Sequence, residues 1–235
     1  MELWLWFDLG YTLVHTQREN LFQEVLHEFQ IQRSLQDVKK SFYLSDKYFF
    51  RMCPGVLSHP TEKDMLKYFR CLCSFLEIEN DIRIWQAFSS LSTKQTRKWF
   101  AFQDTVPVLK ELQKDYHLGI ISNWDASARD VLKQNELTKY FDEILISSEV
   151  GVEKPNRKIF ELAQQQSGAQ SNACLYIGDN YYDDYRGSTK LGWQCILLDS
   201  FQGEGISEVR DATILGSLTE LLNYLLKNNL PTERG

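Results

Sequence analysis

The first apolar run of the chain ends in the stretch Trp6-Phe7-Asp8-Leu9-Gly10-Tyr11-Thr12-Leu13. Positions 3–7 predict a buried strand, so the Asp8 carboxylate stands at its C-terminal end, and a glycine-containing turn to Thr12 follows at once. Ligands of open parallel sheets bind just beyond strand ends of this kind. Asp8 and Thr12 are therefore the first candidate site residues.

From about residue 100 onward, apolar strands alternate with helices. The predicted strands cover 117–122, 143–147, 173–177, 194–198 and 212–215, and the predicted helices around them cover 104–116, 127–137, 155–166, 181–191 and 217–227. Such alternation indicates a parallel sheet that is covered by helices on both faces. The fold class is therefore predicted as α/β.

The region between the first strand and this alternation has a helical pattern. Apolar residues recur at helical spacing in 19–32, 35–50, 61–72 and 81–91, and Thr61 can cap the third of these segments. We therefore expect a core domain formed by 1–14 and 96–235, with an inserted α-helical cap domain formed by 15–95.

Composition and charge exclude several classes of protein. The 235 residues are 43% hydrophobic and 25% charged, which is ordinary for a globular protein, and the net charge of -6 argues against nucleic-acid binding. No apolar run reaches the roughly 18 residues that a membrane span needs, and the first residues lack the basic start of a signal peptide. We expect a cytoplasmic monomer or homodimer with reduced cysteines and without nucleic-acid or membrane partners.

A second acidic strand end lies at Gly178-Asp179, and the acidic residues Asp183 and Asp184 follow it closely. Three carboxylates thus surround one strand-to-helix turn, although one of them could serve only as a charge at a helix N-terminus. Mg²⁺ prefers hard oxygen ligands and takes few protein carboxylates. Asp8 and Asp179, if brought together from distant strands, predict a cation site, a nucleophile site, or both.

Two further strand ends carry groups that can bind phosphate oxygens. Ser122-Asn123 ends the strand 117–122, and Lys154 precedes a helix in the segment Gly-Val-Glu-Lys-Pro-Asn. A hydroxyl and loop amides suit an anion, and a lysine there can neutralise a phosphate and an attacking carboxylate together. An ordinary turn and a solvated loop lysine would explain each group alone, but their shared position at strand ends favours a site.

In this order, the segments resemble the motif series of the haloacid dehalogenase superfamily: Asp8…Thr12, Ser122, Lys154-Pro155 and Gly178-Asp179…Asp184. The resemblance covers nearly the whole chain and implies a Rossmann-like core, with 15–95 similar to the helical caps that follow the family's first motif. The segment 150–160 is similar to the branch with nucleotidases and sugar-phosphate phosphatases. The segments around 123 and 180 resemble a haloacid dehalogenase domain-containing-3-like branch.

The resemblance implies a phosphatase mechanism for a small phosphorylated metabolite. Asp8 would attack phosphorus to form an aspartyl-phosphate, which water then hydrolyses, and Thr12 would belong to the catalytic set. The phosphoryl oxygens would be held by Ser122, Asn123 and Lys154. The ligands of Mg²⁺ would be Asp8, the carbonyl of Gly10, Asp179 and Asp184, with Asp183 through water as the alternative to Asp184.

Gly10 departs from the family pattern. Phosphatases of the family carry a second Asp two residues after the nucleophile as a general acid/base. Gly10 keeps the main-chain carbonyl that binds the metal in the family, but it has no side chain that could donate a proton. General acid catalysis is worth ~10²–10⁴-fold, so we expect a slow phosphatase or one that favours good leaving groups, unless Tyr11, His15 or Asp125 donates the proton.

A 2-haloacid dehalogenase is the first alternative. Gly10, Asn180 and Asp183 fit the dehalogenase pattern in part. Two residues oppose it: Phe160 stands where dehalogenases have Tyr, and the charge of Asp179 would repel a carboxylate substrate.

A domain that has lost catalysis and only binds metabolites or partners is the second alternative. It is opposed by the retained Asp8, Lys154 and Asp179, since loss of catalysis removes the reason to keep these charges. A phosphonate-cleaving enzyme would need a Schiff-base lysine in the cap, and the sequence singles none out.

Overall fold

The computed structural model describes residues 3–57, 60–94 and 98–228. The described residues fall into two compact units. Unit 1 lies within Met1–His15, Phe100–Gly203 and Ser207–Gly235, and unit 2 lies within Thr16–Trp99 and Glu204–Ile206. We propose that these units are the core and cap domains that the sequence predicts.

Unit 1 is built on a parallel sheet. The strands described in this unit, six of which form the parallel sheet, are β1 (Trp4–Phe7), β2 (Val14–His15), β3 (Phe100–Ala101), β4 (His117–Ser122), β5 (Glu143–Ile146), β6 (Cys174–Gly178), β7 (Gln194–Leu198) and β8 (Thr213–Leu215). The main sheet has the order β5-β4-β1-β6-β7-β8, and its neighbouring strands pair in parallel. This arrangement confirms the predicted α/β class and its Rossmann-like core.

Ten helices occur in the described part of the chain. The four of unit 2 are α1 (Arg18–Glu28), α2 (Leu35–Met52), α3 (Glu62–Leu76) and α4 (Ile82–Lys94), and those of unit 1 are α5 (Thr105–Leu112), α6 (Ala128–Gln134), α7 (Ser147–Val150), α8 (Arg157–Ser167), α9 (Arg186–Thr189) and α10 (Leu218–Lys227). Among the described residues, no helix combines the length and the apolarity that crossing a membrane requires.

The central strand, β1, is apolar on both faces because it is buried on both. It pairs with β4 on one side and with β6 on the other, and its residues are 0–7% exposed. A strand in this position gives a continuous apolar run and no alternation with polar residues. The sequence pattern at the start of the chain follows directly from this position in the sheet.

Gly119 on β4 makes room for the indole of Trp6 on β1. The two residues are partners in the parallel register, and a Cβ on Gly119 would lie 2.3 Å from Cε3 of the Trp6 ring. The ring is fully buried and stacks on Trp4 at 5.1 Å between centroids, so it has little freedom to retreat. A glycine is therefore required here by close packing.

We expect Gly119→Ala to lower the free energy of unfolding by about 1–3 kcal/mol, the usual range for overpacking a core. Chemical denaturation followed by circular dichroism measures the change. The matched control is the same substitution in a Trp6→Phe background, where the smaller ring relieves the contact. A penalty that is as large in that background as in the wild type would contradict the explanation.

A short antiparallel pair lies at the chain positions that flank unit 2. β2 pairs with β3 through Val14↔Ala101 and His15↔Phe100, and neither strand is among the predicted elements. Strands of two residues are too short to produce a recognisable alternation. The pair brings the two connections to unit 2 side by side.

Two helices near the sheet's C-terminal edge differ from the sequence prediction. α8 begins at Arg157 instead of 155, because the Asn156 side chain accepts a hydrogen bond from the Lys158 N–H and caps the helix. The predicted helix 181–191 opens as a π-helical turn, Tyr181–Tyr185, before α9. Single π turns often occur at functional sites.

Unit 2 is helical, and its helices are delimited by local hydrogen bonds. Ser34 and Thr61 form capping boxes at the starts of α2 and α3, which confirms Thr61 as a cap. Its core includes the aromatic side chains of Phe22, Phe42, Phe69 and Phe88. Edge-to-face contacts from Phe22 reach the other three rings at 5.1–6.5 Å between centroids.

Candidate functional site

The C-terminal edge of the sheet brings three of the predicted segments together. Asp8 directly follows β1, Ser122 is the last residue of β4, and Gly178 is the last residue of β6. The Asp8 N–H donates to the Ile177 carbonyl at 2.8 Å, which extends the β1–β6 pairing up to the acidic turn. Since β1 lies between β4 and β6, these residues share one edge.

Lys154 joins this edge through its side chain. Its Nζ donates to Asp8 Oδ1 at 2.7 Å, to Asp184 Oδ1 at 2.6 Å and to the Tyr176 hydroxyl at 2.9 Å. The lysine is 5% exposed, so the ion pairs form out of contact with bulk water. Buried charges persist only when they are paired and hydrogen-bonded, and here the ammonium uses its three donors on three acceptors.

The Lys154 backbone is held by Asn123. The Asn123 side-chain N–H donates to the Lys154 carbonyl at 2.8 Å, and its carbonyl oxygen accepts from the Lys154 N–H at 2.7 Å. The Lys154–Pro155 peptide bond is cis. Asn123 thus connects the loop after β4 to the lysine loop, while its predicted contact with substrate stays a prediction.

The two adjacent aspartates of the acidic turn after β6 have different hydrogen-bond partners. Asp184 Oδ2 accepts from the main-chain N–H groups of Asp179 and Asn180 at 3.1 and 2.9 Å, and its Oδ1 faces Lys154. Asp183 instead accepts from the side-chain N–H of Asn180 at 2.9 Å. The structure therefore brings Asp184, rather than Asp183, to the lysine.

Gly178 is needed for this arrangement. A Cβ at this position would lie 2.2 Å from Asp184 Oδ2, so any larger residue would displace the carboxylate. The glycine before Asp179 allows the close approach of a side chain, which was not apparent from the sequence.

Three carboxylates meet in the site and could hold a metal ion. Asp8, Asp179 and Asp184 each offer an oxygen, and these oxygens lie within 4.8 Å of one another. Two of them, Asp8 and Asp184, form ion pairs with the Lys154 ammonium, so the three carboxylates leave acidic charge in excess. Clustered carboxylate oxygens of this kind suit a hard divalent cation.

Burial and charge shift the protonation equilibria of the site. Burial raises the pKa of Asp8 above its ordinary value, the Lys154 ammonium opposes that rise, and the charge of Asp184 adds to it. Burial also opposes the charged form of Lys154, but the Asp184 and Asp8 carboxylates outweigh it and raise the lysine pKa well above its usual value. Burial, followed by the charge of Asp184, raises the pKa of Asp183 to about 7.

Thr12, Ser122 and Gly10 complete the predicted set. Thr12 is 1% exposed, and its hydroxyl has no hydrogen-bond partner among the described residues. Ser122 is also 1% exposed, and its hydroxyl helps to oppose the rise in the pKa of Asp8. Gly10 lies in the turn after Asp8 and forms an isolated bridge with Val14.

Tyr176 is a site residue that the sequence analysis missed. It lies on β6, is fully buried, and contacts Lys154 through its hydroxyl. A buried tyrosine hydroxyl usually finds a hydrogen-bond partner, so the polar oxygen in the apolar run 174–178 was an available signal. The partner itself depends on the loop after β5, which the strand pattern does not place.

A family model of haloacid dehalogenase-like hydrolases matches residues 5–198. The chain belongs to this family. The mouse haloacid dehalogenase-like hydrolase domain-containing protein 3 is 32% identical over 148 residues, which cover 61% of this chain and 57% of that protein. The glyceraldehyde 3-phosphate phosphatase of Methanothermobacter thermautotrophicus is 36% identical over 131 residues, which cover 53% of this chain and 58% of that enzyme.

The segments of this haloacid dehalogenase-like family member that match these two curated relatives cover little more than half of each relative's length. The fold is also similar to that of an L-2-haloacid dehalogenase of known structure, with a TM-score of 0.63 and 17% identity over 96% of this chain and 99% of that one. At this identity the likeness concerns the fold alone. The family resemblance inferred from the motifs is confirmed.

Proposed function

We propose that the chain is a Mg²⁺-dependent phosphatase, a phosphomonoester hydrolase for a small phosphorylated metabolite. The observation that carries the proposal is the contact of Lys154 with both Asp8 and Asp184 beside a third carboxylate, Asp179. The similarity to a glyceraldehyde 3-phosphate phosphatase supports the same class of substrate. The predicted cytoplasmic location and the monomeric or homodimeric state belong to this proposal.

Asp8 is the nucleophile of the proposed reaction. A carboxylate oxygen of Asp8 attacks phosphorus, the bond from phosphorus to the leaving oxygen breaks, and the alcohol leaves with a proton from solvent or from a nearby donor. A water molecule then attacks phosphorus, which regenerates the Asp8 carboxylate and releases inorganic phosphate. Asp8 directly follows β1 at the C-terminal edge of the sheet, where ligands of open parallel sheets bind.

Lys154, Ser122 and Thr12 bind and orient the phosphoryl group. The Lys154 ammonium lies 2.7 Å from the nucleophile and stabilises the negative charge that gathers on the phosphoryl oxygens. The buried Thr12 hydroxyl, which has no partner among the described residues, is available to donate to one of them.

The carboxylates of Asp8, Asp179 and Asp184, together with the Gly10 carbonyl, would hold Mg²⁺. Mg²⁺ bound there would neutralise the excess acidic charge and would supply Lewis-acid chemistry toward the phosphoryl group. The hydrogen bonds from the main chain to Asp184 Oδ2 hold that carboxylate at the cluster, which favours Asp184 over Asp183 as the ligand.

We expect hydrolysis of p-nitrophenyl phosphate and acetyl phosphate that stops with EDTA and returns with Mg²⁺. Because Gly10 cannot donate a proton, simple alkyl phosphates should react ~10²–10⁴-fold more slowly than these activated substrates. The measurement is phosphate release across a metabolite panel. A folded, Mg²⁺-binding protein that turns over no activated substrate would instead favour a binding role.

A 2-haloacid dehalogenase is the second candidate, favoured by the hydrogen bond between Asn180 and Asp183 and by the non-acidic Gly10. Against it, Phe160 stands where dehalogenases have Tyr, so this position has no hydroxyl. The Phe160 ring is fully buried and packs on Tyr176 at 5.6 Å between centroids. Chloride release from 2-chloropropionate without metal distinguishes the two functions. We expect none.

A further inference from the structure

The ammonium of Lys154 has three acceptors, and one of them is neutral. Asp8 and Asp184 are carboxylates, whereas Tyr176 accepts through a phenol oxygen at 2.9 Å. Two carboxylates alone would leave the third N–H of the ammonium without a partner. The phenol supplies the third point that locates a tetrahedral ammonium.

The Tyr176 hydroxyl is itself fixed from two directions. It donates its proton to the Ile121 carbonyl on β4 at 2.7 Å, so its lone pairs remain for Lys154. Its ring packs edge-on against Phe160 at 5.6 Å and lies 6.5 Å from Trp193. The contact to Lys154 is therefore anchored to the sheet.

The acceptors of the ammonium differ in burial. Tyr176 is 0% exposed and Asp184 is 1% exposed, while Asp8 is 8% exposed. A phosphate ester that approaches Asp8 must come from the more exposed side. The bond from Lys154 to Asp8 is thus the one that a phosphoryl oxygen can replace, and the bond to Tyr176 can persist.

We propose that Tyr176 is a positioning residue, which holds the Lys154 ammonium in place while Asp8 is released from it to act as the nucleophile. The catalytic part of this inference rests on the proposed function, whereas the positioning of the ammonium does not. Tyr176 acts through Lys154, whose ammonium donates a hydrogen bond to its hydroxyl. Without its hydroxyl, the ammonium moves toward Asp8 and reduces the nucleophilicity of that carboxylate.

Tyr176→Phe tests the inference, with Tyr185→Phe as the matched control. The Tyr185 hydroxyl also donates to a main-chain carbonyl at 2.7 Å, that of Asp211, but it does not contact Lys154. In the full-length protein labelled with ¹⁵N-lysine, the buried ammonium should give a slowly exchanging NMR signal, assigned by its loss in Lys154→Met. We expect Tyr176→Phe to shift or broaden this signal and Tyr185→Phe to leave it unchanged.

Kinetics provide the second readout. We expect Tyr176→Phe to lower kcat for p-nitrophenyl phosphate roughly 10- to 100-fold, as misplacement of a catalytic group does, with KM and the inhibition constant of inorganic phosphate within about threefold. Tyr185→Phe should retain the kcat of the wild type. A merely structural role for Tyr176 would lower the melting temperature and leave kcat per folded molecule unchanged.

Two results would overturn the inference: a Lys154 signal that is the same in Tyr176→Phe as in the wild type, or a wild-type ammonium that exchanges as fast as a surface lysine. A kcat within twofold of the wild type would also overturn the catalytic part. If the wild type has no turnover that depends on Asp8, the proposed function fails, but the NMR experiment still decides whether Tyr176 positions Lys154.

Discussion

Asp8→Asn is expected to hydrolyse p-nitrophenyl phosphate about 10⁶-fold more slowly than the wild type, the order of loss seen when the nucleophile of a serine protease is removed. An amide of the same size preserves the turn after β1, but it cannot attack phosphorus. It also removes one of the three carboxylates of the cluster. The measurement is kcat/KM with saturating Mg²⁺, with circular dichroism as the check on folding.

The control for Asp8→Asn is Asp115→Asn. Asp115 is exposed and precedes β4, so it lies at the opposite edge of the sheet from the site. This variant loses the same charge and should keep the wild-type rate. After acid quenching during turnover, mass spectrometry should find phosphate on the peptide that contains Asp8. Equal rates for Asp8→Asn and the wild type would refute the nucleophile.

Lys154→Met is expected to have the second-largest effect, on stability as well as on activity. Without the ammonium, Asp8 and Asp184 are left as neighbouring buried carboxylates, and both lose their ion pair. Removing one partner of a buried ion pair costs about 3–5 kcal/mol. We expect a loss of stability of this size in metal-free buffer, together with a loss of phosphatase activity.

Two comparisons identify unpaired charge as the cause. Adding Asp184→Asn to Lys154→Met removes one of the repelling carboxylates, so the double variant should be more stable than Lys154→Met alone. Lys158→Met removes an exposed lysine from the first turn of α8, and its stability should change by no more than about 0.5 kcal/mol. Chemical denaturation measures all three variants. A double variant less stable than Lys154→Met would contradict the explanation.

Mg²⁺ provides a further comparison within the same experiment. A ligand that binds the folded protein alone raises its stability, and a divalent cation should also relieve the repulsion that Lys154→Met creates. We therefore expect Mg²⁺ to raise the melting temperature of Lys154→Met by more than that of Lys158→Met.

The positions of Asp8, Ser122 and Gly178 at one edge of the sheet could be predicted from the sequence. Each follows an apolar strand, and the carboxyl ends of parallel strands meet at the same edge. The helical pattern between the first strand and residue 100 likewise predicted the helices of unit 2. These features are local, because strand length, helical spacing and turn residues are properties of short segments.

Tyr176 and the division of roles between Asp183 and Asp184 could not be predicted in this way. Both aspartates lie in one short acidic turn, and the π-helical turn determines that Asp184 faces Lys154. The strand pattern does not distinguish Tyr176 from its apolar neighbours on β6. Only the contact of its hydroxyl with Lys154 shows that it belongs to the site. Such contacts depend on the path of loops whose sequences carry no regular pattern.

The amino-acid pattern was thus sufficient for the elements, the α/β class and the strand ends that carry acidic or polar groups. The pairing of Lys154 with Asp8 required the folded chain, because these residues are 146 positions apart and follow different strands, β5 and β1, which are not neighbours in the sheet. Strand order is a property of the whole domain, because it depends on which strands pair with each other along their edges. No local window of sequence contains that information.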